Sequence, residues 1–258
     1  MKKLQKEKAH KTCLLSCVGF VIMGGMLKKL FADWNKLEIF LLIFGVTAVT
    51  VAFFLGEERD LLSLFTSCFG VVGVLFVAKG LIAGQWLCIV FVSLYACMSF
   101  RSQYYGELIL VLCFTLPSNV AAIVTWLKHP SKDARKVEVN TISKAEWAWL
   151  ALAVVVCTVG AYFLLKALNT AEVVVSTISF ITSIFAAYLL IRRSEYYAVF
   201  YILNDIILIV LWSLALFKGA GVLPSIISYC AFLCNDLYGF FDWRKRSRQQ
   251  RQKAYGQP

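Results

Sequence analysis

The chain has 258 residues, 60% apolar and only 16% charged, with a net charge of +11. A soluble domain carries about 45–50% apolar and 25% charged residues, so an ordinary soluble fold is excluded. The composition is that of a polytopic α-helical membrane protein, whose helices need about 20 apolar residues each. The alternating segments of about ten residues that mark a membrane β-barrel are absent.

Lys2, Lys3, Lys6, Lys8 and Lys11 precede an apolar stretch, 13–26, that is too short to span. It is expected to dip into or lie along the cytoplasmic interface within a basic tail, 1–36. A ninth span and a signal-peptide core are the alternatives, although Leu27-Lys28-Lys29 offers no small-residue cleavage site. Eight longer apolar runs follow: 37–55, 61–78, 81–100, 107–126, 147–168, 173–191, 196–217 and 222–243. As helices they satisfy their own backbone groups, the open-chain solution available in hydrocarbon.

The run 37–55 stands alone as an additional transmembrane helix. The runs within 61–126 and within 173–243 form two three-helix units of like pattern. In each, a first span ends in cations (Ala78-Lys79-Gly80 and Ile191-Arg192-Arg193). In each, the third span ends in tryptophan and cations (Trp126-Leu-Lys-His and Trp243-Arg-Lys-Arg). These are parallel repeats, and 147–168, after a cytoplasmic loop 127–146, is the linker that restores orientation between them. Lys and Arg set the sidedness. Lys79, Lys128, Lys136, Lys144, Arg192, Arg193 and the basic tail 244–258 fall on one side, and few cations fall opposite, among them Arg59, Arg101, Lys166 and Lys218. The positive-inside rule places the C-terminus in the cytoplasm of a multi-pass plasma-membrane protein. Cations at span ends, rather than on one soluble face, argue against nucleic-acid binding. None of the nine cysteines forms a Cys-x-x-Cys pair, and no His lies within a span. No metal or cofactor is expected, and the cysteines read as packing residues.

Polar groups at bilayer depth are costly unless paired or facing water, so they mark a site. Asn204-Asp205 lies mid-span beside Phe200, Tyr201 and Trp212, and Asn235-Asp236 lies near Tyr229 and Tyr238. Asn119 follows Pro117-Ser118, a helix break that frees a carbonyl, and 173–191 carries Ser176, Ser179, Thr182, Ser183 and Tyr188. Thr182 and Ser183 are expected to bond their own preceding turn. Tyr196, Tyr197, Trp126 and Trp243 fit interfacial belts. The expected binding set is Asn204, Asp205, Phe200, Trp212, Asn119, Asn235, Tyr229 and Tyr188. Asp236, about 10 Å from the inner surface at helical rise, is a gate candidate with Glu195 and Tyr201. Such a set suits a flat, hydroxylated heterocycle. A membrane enzyme would need a nucleophile–base pair or metal ligands, and a scaffold or sensor would have no use for amide–acid pairs in both halves.

The run Arg193-Ser-Glu-Tyr-Tyr-Ala-Val-Phe-Tyr-Ile-Leu-Asn-Asp-Ile-Ile-Leu-Ile-Val-Leu-Trp212 resembles the basic–Glu–aromatic–Asn–Trp signature of the PnuC vitamin transporters. Tyr105-Gly-Glu107, Pro117-Ser-Asn, Lys79-Gly80 and the closing Tyr238-Gly-Phe-Phe-Asp-Trp-Arg-Lys extend the likeness over about 37–245. The resemblance implies an all-α 3+1+3 core like a full-length SWEET fold, usually homotrimeric. It also implies facilitated diffusion of nicotinamide riboside, or of thiamine, riboflavin or a deoxynucleoside in other members, trapped by a cytoplasmic kinase. Phe91 stands where the family often has Asn, and Phe200 where it has Trp.

Overall fold

The computed structural model describes residues 33–56, 60–101, 108, 111–131, 136–168, 172–217 and 223–255. The apolar stretch 13–26 and Tyr105-Gly106-Glu107 lie outside them. The described residues form eight helices: α1 (Lys36–Leu55), α2 (Leu61–Ala78), α3 (Ile82–Arg101), α4 (Val111–Lys128), α5 (Lys144–Ala167), α6 (Val173–Ile191), α7 (Tyr197–Phe217) and α8 (Leu223–Tyr255). Six of them, α1, α2 and α4–α7, are long and apolar enough to cross a membrane. The apolar part of α3 is shorter, Ile82–Met98. α8 carries Asn235-Asp236 and does not stop at Trp243. It continues through what was expected to be a tail, a run of Arg, Lys and Gln that favours helix and in which Arg246 pairs with Asp242 at 2.9 Å.

Of the described residues, 33–40 belong to one compact unit and those from Leu41 onward to another. In the first, Asn35 and Glu38 make a reciprocal capping box, Glu38 N donating to Asn35 Oδ1 at 2.9 Å and Asn35 N to Glu38 Oε2 at 2.7 Å. In the second, α2 packs on α3, α3 on α4, α4 on α6, α6 on α7, α7 on α8, and α8 back on α2. Six helices thus close a ring, and the two closing contacts each join the last helix of one triplet to the first of the other. α5 packs outside on α6. Ser143 caps it by accepting from Glu146 N at 3.2 Å, and the Glu146 carboxylate takes Arg192 Nη2 at 3.1 Å and the Tyr188 hydroxyl at 2.8 Å. That hydrogen bond holds the Arg192 guanidinium above its usual range. On α1, Val49 is buried with Val71 of α2 and Ala231 of α8.

The first helices of the two triplets end alike. Leu81 N donates to Phe76 O at 2.9 Å and Gly80 N to Val77 O at 2.7 Å, while Ser194 N donates to Leu189 O at 2.8 Å and Arg193 N to Leu190 O at 3.0 Å. Both are left-handed Schellman closures, with φ of +68° at Gly80 and +59° at Arg193. Glycine suits the first position doubly, because a Cβ there would run into the Arg246 guanidinium. The segment between the triplets then binds both closures, Val137 N donating to Gly80 O at 3.0 Å and Asn140 N to Arg193 O at 2.9 Å.

Candidate functional site

The ring encloses a cavity of about 360 Å³, lined by α2, α3, α4, α6, α7 and α8 together with Leu165 of α5. That lies within the usual range for a small-molecule site, about 300–1,000 Å³. Its walls are largely apolar and aromatic, with Phe91, Tyr95, Phe114, Phe180, Trp212, Tyr229 and Phe232 among them. Trp212 Nε1 is buried there without a partner.

The polar groups cluster on α6, α7 and α8. Asn204 is buried, and its Oδ1 accepts from Ser179 Oγ at 2.8 Å, Thr182 Oγ1 at 2.9 Å and Ser183 Oγ at 3.2 Å. Three hydroxyls at i, i+3 and i+4 on one face of α6 therefore fix the amide, leaving its NH₂ to donate. Thr182 Oγ1 also lies 2.8 Å from Ser179 O, so its expected bond to the preceding turn is there. Ser183 instead reaches across to α7. Next to Asn204, Asp205 of α7 is buried and lines the cavity, as does Asp236 of α8. On α4, Pro117 has no N–H to continue the ladder, and the helix opens into a π turn over Val111–Thr115. Asn119 lines the cavity there, and its Nδ2 donates to Thr115 O at 2.9 Å.

Of the expected binding residues, Asn204, Asp205, Trp212, Asn119 and Tyr229 line this cavity, as do the gate candidates Asp236 and Tyr201. Four others stand elsewhere. Phe200 points to α5 and α6, stacked on Phe185 at 4.6 Å and 6.2 Å from Trp147. Tyr188 also faces α5, through Glu146. Asn235 is fully buried with its Nδ2 donating to Val71 O at 3.1 Å, so it fastens α8 to α2. Glu195 lies beside Asn140, Tyr196 and Arg251, the last at 3.9 Å, away from the cavity.

Tyr197, Trp126 and Trp243 depart from the belt reading, since all three are fully buried. Val77, Leu190 and Tyr197 line one end of the cavity, and the two tryptophans sit directly behind them, 5.5 Å apart, with Trp243 4.8 Å from Tyr197. Trp126 Nε1 donates to Leu190 O at 3.0 Å and Trp243 Nε1 to Val77 O at 3.3 Å. Each triplet's last helix thereby holds the cap of the other triplet's first helix. Their like placement, each ending a third span beside cations, is the trace of this in the sequence.

A closed ring of apolar helices around an aromatic cavity with a few convergent amides and carboxyls defines a membrane transporter. The chain belongs to the nicotinamide mononucleotide transporter family, whose model matches residues 60–245. That is a family of transporters and not of enzymes. The chain is 30% identical to the nicotinamide riboside transporter PnuC of Neisseria mucosa over 84% of either chain. It is 25% identical to the nicotinamide riboside transporter PnuC of Haemophilus influenzae, over 86% of this chain and 96% of that one. The crystal structure of the vitamin B3 transporter PnuC matches with a TM-score of 0.74 at 29% identity, covering 87% of this chain and 97% of the other. This chain is a multi-pass membrane transporter.

Proposed function

We propose that the chain imports nicotinamide riboside by facilitated diffusion and that phosphorylation in the cytoplasm retains it. The observation that carries the reading is the gathering of Asn204, Asp205, Asn119 and Trp212 on one aromatic cavity, in a chain whose relatives are named for that substrate. A pyridinium ring needs flat apolar faces, and ribose hydroxyls need donors and acceptors such as the Asn204 amide and the carboxyls. The cavity lies within a 3+1+3 arrangement, α2–α4 and α6–α8 being parallel repeats, α5 the linker and α1 an addition. The matched caps and the reciprocal tryptophan contacts support this reading. The C-terminus lies in the cytoplasm by the distribution of Lys and Arg, and the family resemblance implies a homotrimer working beside a kinase.

A second reading keeps the fold and changes the cargo. Phe91, which lines the cavity, stands where the family often has Asn, and an extra ring there would suit a larger vitamin or a nucleoside. Titration of the purified protein with nicotinamide riboside, in competition with thiamine, riboflavin and deoxynucleosides, separates the two. Preferential binding of the riboside is expected, and preferential binding of another compound would replace it.

A further inference from the structure

We propose that Phe91, seated with Phe232 in a notch left by Gly70, holds the ring of the substrate, while Asn204 on the opposite wall takes its hydroxyls, so that the ligand enters one way round. The inference rests on the reading of the cavity as a nicotinamide riboside site and adds the residues that set the ligand's orientation.

The two triplets keep one register. Counting from the matched closures, with Gly80 set against Arg193, the residues Cys88, Phe91 and Val92 of α3 correspond to Tyr201, Asn204 and Asp205 of α7. All six line the cavity, and α3 and α7 stand opposite each other in the ring of helices. Phe91 is thus the counterpart of Asn204 on the facing wall.

The helix beside each residue differs to match. Beside Asn204, α6 presents Ser179 and Ser183, whose hydroxyls donate to the amide oxygen at 2.8 and 3.2 Å. The same register puts Thr66 and Gly70 of α2 at those two places. Thr66 Oγ1 donates to Leu62 O at 2.6 Å, within its own helix. Gly70 is buried, and a Cβ there would come within 3.0 Å of both the Phe91 and the Phe232 rings. The missing side chain is what lets the two rings in. They meet edge to face, with centroids 6.3 Å apart and planes at 79°, and Tyr229 stands 5.7 Å from Phe232. One wall of the cavity is therefore a held amide and the facing wall a set of rings. Ribose hydroxyls laid against those rings would lose their hydrogen bonds, a cost that the other orientation avoids.

The test is the binding of nicotinamide riboside and of its 2′,3′-dideoxy analogue, which keeps the ring, to the purified full-length protein. The wild type should prefer the riboside. Phe91→Leu should weaken both ligands by the same factor, about three- to tenfold, the scale of one aromatic contact, and keep the preference. Asn204→Ala should erase the preference. Gly70→Ala, which forces the rings to give way, should weaken both ligands in the wild type and change little when added to Phe91→Leu. Phe232→Leu probes the same seat should Phe91→Leu fail to fold. Affinities within twofold of wild type in the folded Phe91→Leu or Phe232→Leu variant overturn the proposal, as does a preference that survives in Asn204→Ala or is lost in Phe91→Leu. In each of those cases the riboside still binds the wild type, and the reading of the site stands. Failure of folded wild type to bind either ligand sinks that reading, and the proposal falls with it.

Discussion

Asn204 is the side chain whose role is most narrowly set by its neighbours. With its oxygen held by Ser179, Thr182 and Ser183, the amide can rotate little, and its NH₂ is what remains for a ligand. Asn204→Ala should weaken nicotinamide riboside binding about tenfold, the effect of one lost hydrogen bond plus poorly served hydroxyls. Calorimetric titration measures this, and unchanged affinity would make the amide a helix fastener only. Phe200, one turn earlier, packs on Phe185 of α6 and beside Trp147 of α5 and does not line the cavity. Phe200→Leu should lower the unfolding midpoint through its lost stacking on Phe185 while leaving affinity within about twofold. Charge gives a third expectation. A cavity whose described lining includes Asp205 and Asp236 and no Lys, Arg or His offers no cation to offset a phosphate, and desolvating a dianion there costs several kcal/mol. Nicotinamide mononucleotide should therefore compete poorly with the riboside in phosphatase-free samples, and equal potency would contradict that electrostatic reading.

At the scale of elements, the helices were legible and their rotation was not. Apolar runs of spanning length, bounded by Gly56, Lys79-Gly80 and Arg192-Arg193, mark where helices begin and end. A membrane helix that is apolar on every side has no polar stripe to show which face turns inward. Adjacent residues point about 100° apart, which separates Asp236 in the cavity from Asn235 against α2, and Tyr201 in the cavity from Phe200 against α6. Tyr197, Trp126 and Trp243 were misplaced for another reason. Tryptophan beside cations at a span end has the pattern of an interfacial belt, and only the meeting of two triplets buries it. These indoles make an element-scale latch. The carbonyls of Val77 and Leu190 each accept both the backbone N–H of the closure and an indole N–H. Trp126→Phe with Trp243→Phe removes the indole bonds and leaves the backbone ones, a loss of about 0.5–1.5 kcal/mol for each. Exchange of labelled substrate across the membrane should then quicken with little change in affinity, as counterflow would show. An unchanged or slower exchange would make the tryptophans filler rather than a latch.

At the scale of the molecule, two similar triplets meet around one cavity, joined by α5 and by the segment that binds both closures through Val137 and Asn140. Rocking of one triplet against the other about such a centre would give the alternating access that the proposed facilitated diffusion requires. A cationic substrate still answers to the membrane potential, so the decisive measurement is uptake of labelled nicotinamide riboside into vesicles of the purified protein held at zero potential. The internal concentration should rise to the external one and stop there, whether or not a pH or sodium gradient is imposed. Accumulation of unmodified riboside above the external concentration under either gradient would contradict facilitated diffusion.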